Sequence, residues 1–199
     1  DWQIKWAVEH GVSFLLVDWY WVAGSTRNMH WLAAFEKARF RQHMKWAVMW
    51  ANHNPPKTHS EADWRAVTQY WIEHYFATPE YLRYDGKPVV ALWSPGNLRR
   101  DLGDTAAARG LLELSQQMAR AAGLPGIYFV AMNQSPDPVL SAEGYAATTR
   151  YHWWDDCRSQ SPDPRYWPYE LVVARARPAW DADAALAVPS DLPGGALAA

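Results

Sequence analysis

The chain has 199 residues, about half of them apolar, with 19 Lys and Arg against 21 Asp and Glu. That length and apolar content exclude a disordered chain and allow one domain with a sizeable core. A net charge of −2 offers no basic excess for a phosphate backbone, so nucleic-acid binding is disfavoured, and no apolar run approaches the ~20 residues of a membrane-crossing helix.

The single cysteine, Cys157, excludes an intrachain disulfide and any multi-cysteine metal site. No signal peptide begins the chain, which starts at Asp1 and reads as a processed or excised piece. The compositional outlier is aromatic: 14 Trp, 10 Tyr and 5 Phe. Such a set suits either an aromatic-rich core or a sugar cleft, because flat rings stack on the C–H faces of pyranoses. Each indole also carries an N–H that needs a partner once buried.

In chain order, the first ten residues read as a helix, with Trp2, Trp6 and His10 on one face and Gly11 ending it. Val12 to Trp19 reads as a buried strand, 24–28 as a loop, and about 28–43 as a helix bearing Trp31, Ala34, Phe35 and Ala38. Lys45 to Trp50 is a second strand. A Pro-rich loop, 52–59, leads to Ser60, which caps a helix with Asp63 three residues on and Trp64, Val67, Trp71 and Tyr75 along one face. Trp2, Trp6, Trp31, Trp64 and Trp71 are assigned to the core.

Asp85-Gly86 is a turn, Pro88 to Trp93 a third strand, and Pro95-Gly96 breaks it. Asp104 caps a long helix in which Leu111, Leu114, Met118 and Ala122 align, stopped by Gly123 and Pro125. Ile127 to Met132 is a fourth strand, Tyr145 to Tyr151 a weaker fifth, and Arg165 to Arg177 a further helix. Residues 179–199 read as an extended or disordered tail, leaving a domain of 1–178.

Strands alternating with helices imply parallel β/α units with right-handed crossovers, and apolar strands without polar alternation fit a sheet covered on both faces. A complete (β/α) barrel needs eight strands and ~250 residues, while an open doubly wound sheet usually carries a glycine-rich dinucleotide loop, which is absent. The fold class is therefore α/β, an incomplete TIM-like barrel of about five parallel strands with helices outside.

In either architecture chemistry sits beyond the strand C-termini. Those positions hold Asp18, Trp19, Tyr20 and Trp21, then Trp50, Asn52, His53 and Asn54, then Trp93 and Ser94, then Asn133 and Gln134, and last Tyr151, His152, Trp153, Trp154, Asp155 and Asp156. Trp19 and Trp21 are expected on opposite faces of a continuing strand, one of them in the core. Rings for stacking and Asn, His and Asp for hydroxyls make this the pattern of a carbohydrate cleft.

The runs Asp18-Trp19-Tyr20-Trp21, Trp50-Ala51-Asn52-His53-Asn54 and Asp85-Gly86-Lys87-Pro88-Val89-Val90 resemble glycoside hydrolase family 99-like domains, which are related to family 71. Tyr75-Phe76, Pro79 and Tyr81-Leu82-Arg83 resemble them too, over roughly residues 1 to 155. The resemblance implies a (β/α) barrel acting on a glycan, a bacterial polysaccharide context, and a secreted or periplasmic location. It also implies that Asp18, Trp19, Tyr20, Asn52 and His53 line the −1 region.

Such domains carry their acid/base carboxylates late, in an Asn-Glu-Trp-type segment, and this sequence has none. It therefore resembles the middle of a barrel. The carboxylates remaining as catalytic candidates are Asp18, Asp155 and Asp156. Glycoside cleavage uses two carboxyls, ~5–5.5 Å apart for retention and ~6.5–9.5 Å for inversion.

Two alternatives stand beside a hydrolase. One is a carbohydrate-binding domain without the acid/base pair. The other is a metal-dependent hydrolase using His53, His152, Asp155 and Asp18, although no ligand spacing marks them. No cofactor is implied, since phosphate-cradling loops, His-Glu-x-x-His and a serine elbow are all absent. Exposed strand edges of an incomplete barrel favour self-association.

Overall fold

The computed structural model describes residues 1–132 and 138–149. Helix α1 (Trp2–Glu9) passes through Gly11, at φ +78, into strand β1 (Phe14–Val22). β1 is longer than its sequence suggests. It turns at Ala23 and Gly24, both with positive φ (48 and 81), and pairs antiparallel with β2 (Ser25–Arg27), so the expected loop is a hairpin. Helix α2 (His30–Glu36) is short, and a 3₁₀ turn at Arg41–His43 leads into β3 (Lys45–Trp50).

Helix α3 (Glu61–His74) begins as expected, with the Ser60 hydroxyl accepting from the Asp63 amide at 3.2 Å. β4 (Arg83–Tyr84) and β5 (Lys87–Leu92) form a second hairpin through Asp85-Gly86, again at positive φ (51 and 74). The Pro95-Gly96 break opens a helix, α4 (Pro95–Leu102): Ser94 caps it and Pro95 occupies its first turn, where no N–H is needed. α5 (Thr105–Ala121) starts at Asp104 as expected, β6 (Tyr128–Met132) follows, and α6 (Pro138–Glu143) and β7 (Ala147–Thr149) complete the described elements. The expected helix at 165–177 and the tail at 179–199 lie outside the described residues.

β1, β3, β5, β6 and β7 are parallel neighbours in chain order. A doubly wound sheet needs a reversal of strand order, and this one has none. With right-handed crossovers an unreversed order puts every connecting helix on the same face, as in the wall of a (β/α) barrel. The expected fold class, part of a TIM-like barrel, is the one observed.

Strand alternation then sorts the side chains. On the helix side lie Trp19 and Trp21 of β1, Trp46, Val48 and Trp50 of β3, and Phe129 of β6, all buried. The expectation that Trp19 and Trp21 face opposite ways is wrong. Residues two apart on a strand share a face, and the two indoles stack at 5.8 Å and 17° in the core. Trp50 is likewise packed against Trp64 and Trp71 of α3, at 5.7 and 5.9 Å.

Several indole N–H groups have partners: Trp19 donates to the Tyr75 hydroxyl (2.9 Å), Trp21 to Asp63 (3.0 Å), and Trp64 to the Ser115 hydroxyl (2.6 Å). The opposite face of the sheet is lined with smaller residues, Ala47, Met49, Val89, Ala91 and Val130, and is also buried.

Two helix readings need correction. Trp2 and Trp6 are 65% and 57% exposed, not core, because α1 turns Ile4 inward, and Ile4 is off the Trp2–Trp6 stripe. On α5 the buried stripe is Ala108, Leu111, Leu112, Ser115 and Ala119. Ser115 enters the core because it accepts from Trp64 and bonds Thr68 at 2.8 Å. Apolar periodicity alone could not reveal a buried serine.

Candidate functional site at the C-terminal edge of the sheet

At the C-terminal edge the sequence candidates divide by strand face. Asp18 and Tyr20 of β1 lie on the face away from the helices. Trp93 does too, because its amide continues the ladder by donating to the Trp50 carbonyl at 3.0 Å. His53, exposed on the loop after β3, meets the Tyr20 ring edge-on at 6.1 Å. Asp18, Tyr20 and Trp93 are half-buried. Of the four, Tyr20 and His53 touch; Asp18 shares the strand of Tyr20, and Trp93 follows β5, with β3 between the two strands.

Trp19, Trp21 and Trp50 belong to the other face and are at most 3% exposed, with no ring surface available to a sugar. Asn52 is fully buried as well. Its Nδ2 donates to the Ser94 carbonyl and its Oδ1 accepts from the Ser94 amide, both at 2.8 Å. Its own carbonyl accepts from Asn97 Nδ2 at 2.8 Å. The carboxamide thus stands in for one more peptide unit between β3 and β5, and Asn52 serves the scaffold. Asn133, Tyr151, His152, Trp153, Trp154, Asp155 and Asp156 lie outside the described residues.

Helix α4, absent from the sequence reading, fixes the loop that carries His53. Arg100 donates to the Asn54 carbonyl (3.4 Å), and Asn54 Nδ2 in turn reaches the Trp21 carbonyl (3.0 Å). The buried Asp101 carboxylate accepts from the His59 amide (3.2 Å), from His59 Nδ1 (2.6 Å) and from Arg100 Nε (2.7 Å).

Burial alone would raise the Asp101 carboxyl, but Arg100, the Lys57 and His59 amides and the His59 ring bring it well below the ordinary aspartate range. Lys57 has a positive φ of 68, a conformation that this captured loop holds in place. The signal for α4 was present in Ser94-Pro95, an N-cap followed by proline at the first helical position.

Among the described residues no group of three or more His, Cys, Asp and Glu is placed to hold a metal ion. No helix among them is long and apolar enough to cross a membrane.

Five parallel strands in chain order among the described residues, alternating with helices, define part of a (β/α) barrel-type fold. The sequence model of the family described as Glycosyltransferase WbsX matches residues 1–164, and the chain belongs to that family. A solved structure titled "Glycoside hydrolase-like protein" superposes with a TM-score of 0.53 at 18% identity, covering 76% of this chain and 49% of that one. The chain thus spans about half the length of that protein, and the likeness is one of fold. No curated protein matches the chain.

Proposed function

We propose that the chain is a glycoside hydrolase-like domain that takes a polysaccharide or oligosaccharide at the C-terminal edge of its sheet, its domain running over 1–178. The observation that carries this reading is the Tyr20–His53 contact at the C-terminal edge of the sheet, with Asp18 two residues before Tyr20 on the same strand and Trp93 just after β5 at the same edge. Tyr20 and Trp93 supply rings for pyranose C–H faces, and His53 and Asp18 supply hydrogen bonds to hydroxyls. Asn133 and the Tyr151–Asp156 run complete the cleft in this reading.

Asp18 is assigned one of the two carboxyl roles, and Asp155 or Asp156 the other. In a hydrolytic cycle one carboxylic acid gives its proton to the leaving oxygen. The other carboxyl either activates a water or attacks the anomeric carbon.

The description of the family as a glycosyltransferase favours a second reading, in which a sugar hydroxyl replaces water as acceptor. A binding-only domain uses the same cleft without turnover. Tryptophan fluorescence titration with an oligosaccharide panel, followed by product analysis with and without an acceptor sugar, separates the three. Asp18→Asn is expected to abolish turnover while the circular dichroism spectrum stays unchanged. Undiminished turnover removes Asp18 from the chemistry, and failure to bind any glycan sinks the proposal.

A further inference from the structure

We propose that the site takes a negatively charged sugar, one bearing a carboxylate or a phosphate, and that Arg27 is the residue that selects it. The proposal rests on the glycan reading and adds the class of sugar. Its basis is the register of the first hairpin, in which Tyr20 of β1 lies directly opposite Arg27 of β2. Opposed residues of an antiparallel pair project to the same face, with Cβ atoms ~4.5–5.5 Å apart. The next pair, Trp21 and Thr26, takes the other face, where Trp21 is sealed in the core. Arg27 therefore stands beside Tyr20 on the face away from the helices. The ends of the parallel strands do not mark this position, because β2 runs back from the turn.

Strand order places the Tyr20 ring between two nitrogen-bearing side chains. β2 lies on one side of β1 and β3 on the other. Arg27 comes from β2, and His53, from the loop after β3, meets the Tyr20 ring edge-on at 6.1 Å. A ring able to stack on a pyranose is thus bordered by a guanidinium on one side and an imidazole on the other. Neutral donors and acceptors suffice for sugar hydroxyls, whereas a planar and permanently charged guanidinium matches paired oxygens of a carboxylate or phosphate.

Both flanking groups stand on fixed backbone. Arg27 closes the β1–β2 ladder, and the loop of His53 is pinned at three points. Asn52 is held by Ser94 and Asn97, Asn54 by Arg100 and the Trp21 carbonyl, and His59 by Asp101. A preformed frame of this kind loses little freedom when a ligand arrives.

The surrounding charges leave this task to Arg27. On α4, Arg99 pairs with Glu143, and Arg100 is spent on Asp101, Asn97 and Asn54. The ion pairs among the described residues use cations other than Arg27. Asp18 shares the face of Tyr20 but lies two residues earlier on β1, ~7 Å further from the hairpin turn. An anionic group held at Arg27 is therefore offset from the Asp18 carboxylate along the strand. The chain as a whole carries a net charge of −2, so a preference for anions has to come from a local group.

The test is calorimetric titration of the full chain with matched pairs of probes. One pair is an oligogalacturonide and its methyl ester; the other is a phosphorylated manno-oligosaccharide and its dephosphorylated form. The charged member of at least one pair is expected to bind about tenfold more tightly, and added salt to shrink that ratio. Arg27→Gln is expected to bring the ratio close to unity. Arg27→Lys is expected to restore part of it, because lysine keeps the charge without the planar fork. Arg109→Gln, which removes an exposed cation from α5, is expected to keep the ratio. Neutral probes that bind as well as the charged ones, or a charged preference that survives Arg27→Gln, overturn the proposal and leave the glycan reading standing. Failure of every probe to bind overturns both.

Discussion

Asn52 and Ser94 exchange two hydrogen bonds of 2.8 Å, carboxamide to peptide, across the ends of β3 and β5. The same device recurs at the start of β6, where Gln116 Nε2 donates to the Ile127 carbonyl and Gln116 Oε1 accepts from the Ile127 amide, both at 2.8 Å. In each case a side chain satisfies backbone groups where the regular ladder has ended. Replacing Asn52 with Leu keeps the volume and strands both Ser94 groups. The expected loss is about 2–4 kcal/mol, from two buried groups at ~1–3 kcal/mol each with partial relaxation, measured by urea denaturation. A loss under half a kcal/mol on the same scale contradicts the assigned role.

Ser115 joins α5 to α3 through Trp64 and Thr68. Ser115→Ala removes an acceptor from a buried indole N–H and should cost about 1–3 kcal/mol. Alanine is the better helix former, so a purely local view predicts a gain instead. The sign of the change in melting temperature separates the two accounts.

Gly126 sits at φ +138, and a Cβ there would lie 2.6 Å from Gln116 Oε1. Gly126→Ala therefore strains the backbone by about 1–3 kcal/mol and also pushes on the Gln116–Ile127 pair. Gly103→Ala provides a control: its φ is +105, but its Cβ would meet nothing within 4 Å, so it should be milder. Equal losses at the two sites would mean that backbone conformation alone matters.

The Asp101 carboxyl is held below its ordinary range, so its pH dependence has a defined sign. A group whose folded pKa is depressed adds stability above its unfolded value, near ~4, and loses it as pH falls further toward the folded value. Denaturation midpoints should therefore drop below about pH 4, and Asp101→Asn should flatten that dependence while lowering stability at neutral pH. Identical acid profiles for the two proteins would show that other carboxylates govern the transition.

Strand face gives a paired functional expectation. Tyr20→Ala and Trp93→Ala should weaken glycan binding and cost less stability than a core truncation, since both residues are only half-buried at the edge. Trp50→Ala should do the reverse, costing about 3–5 kcal/mol as a large core truncation. Calorimetric titration alongside thermal melts reads both quantities. Glycan affinity that depends on Trp50 alone would refute the division.

The amino-acid order determined by itself the alternation of strands and helices, the Ser60 and Asp104 caps, the Asp85-Gly86 turn and the parallel β/α class. Each follows from local propensity or from a period that a single segment displays. It also marked the strand C-termini where Asp18, Tyr20, His53 and Trp93 stand. Only the tertiary structure decided which side of the sheet each aromatic ring faces. Trp19 and Tyr20 are equally ring-bearing neighbours in sequence, but one is sealed under α3 and the other is half-open.

Asn52 shows the same division, because a polar residue after a strand suits a ligand until Ser94 is brought beside it from forty-two positions away. The exposed Trp2 and Trp6 are the converse: their spacing is that of a buried helix face, and burial depends on what the rest of the fold lays against it. Periodicity records that a face exists; contacts between distant segments determine what covers it.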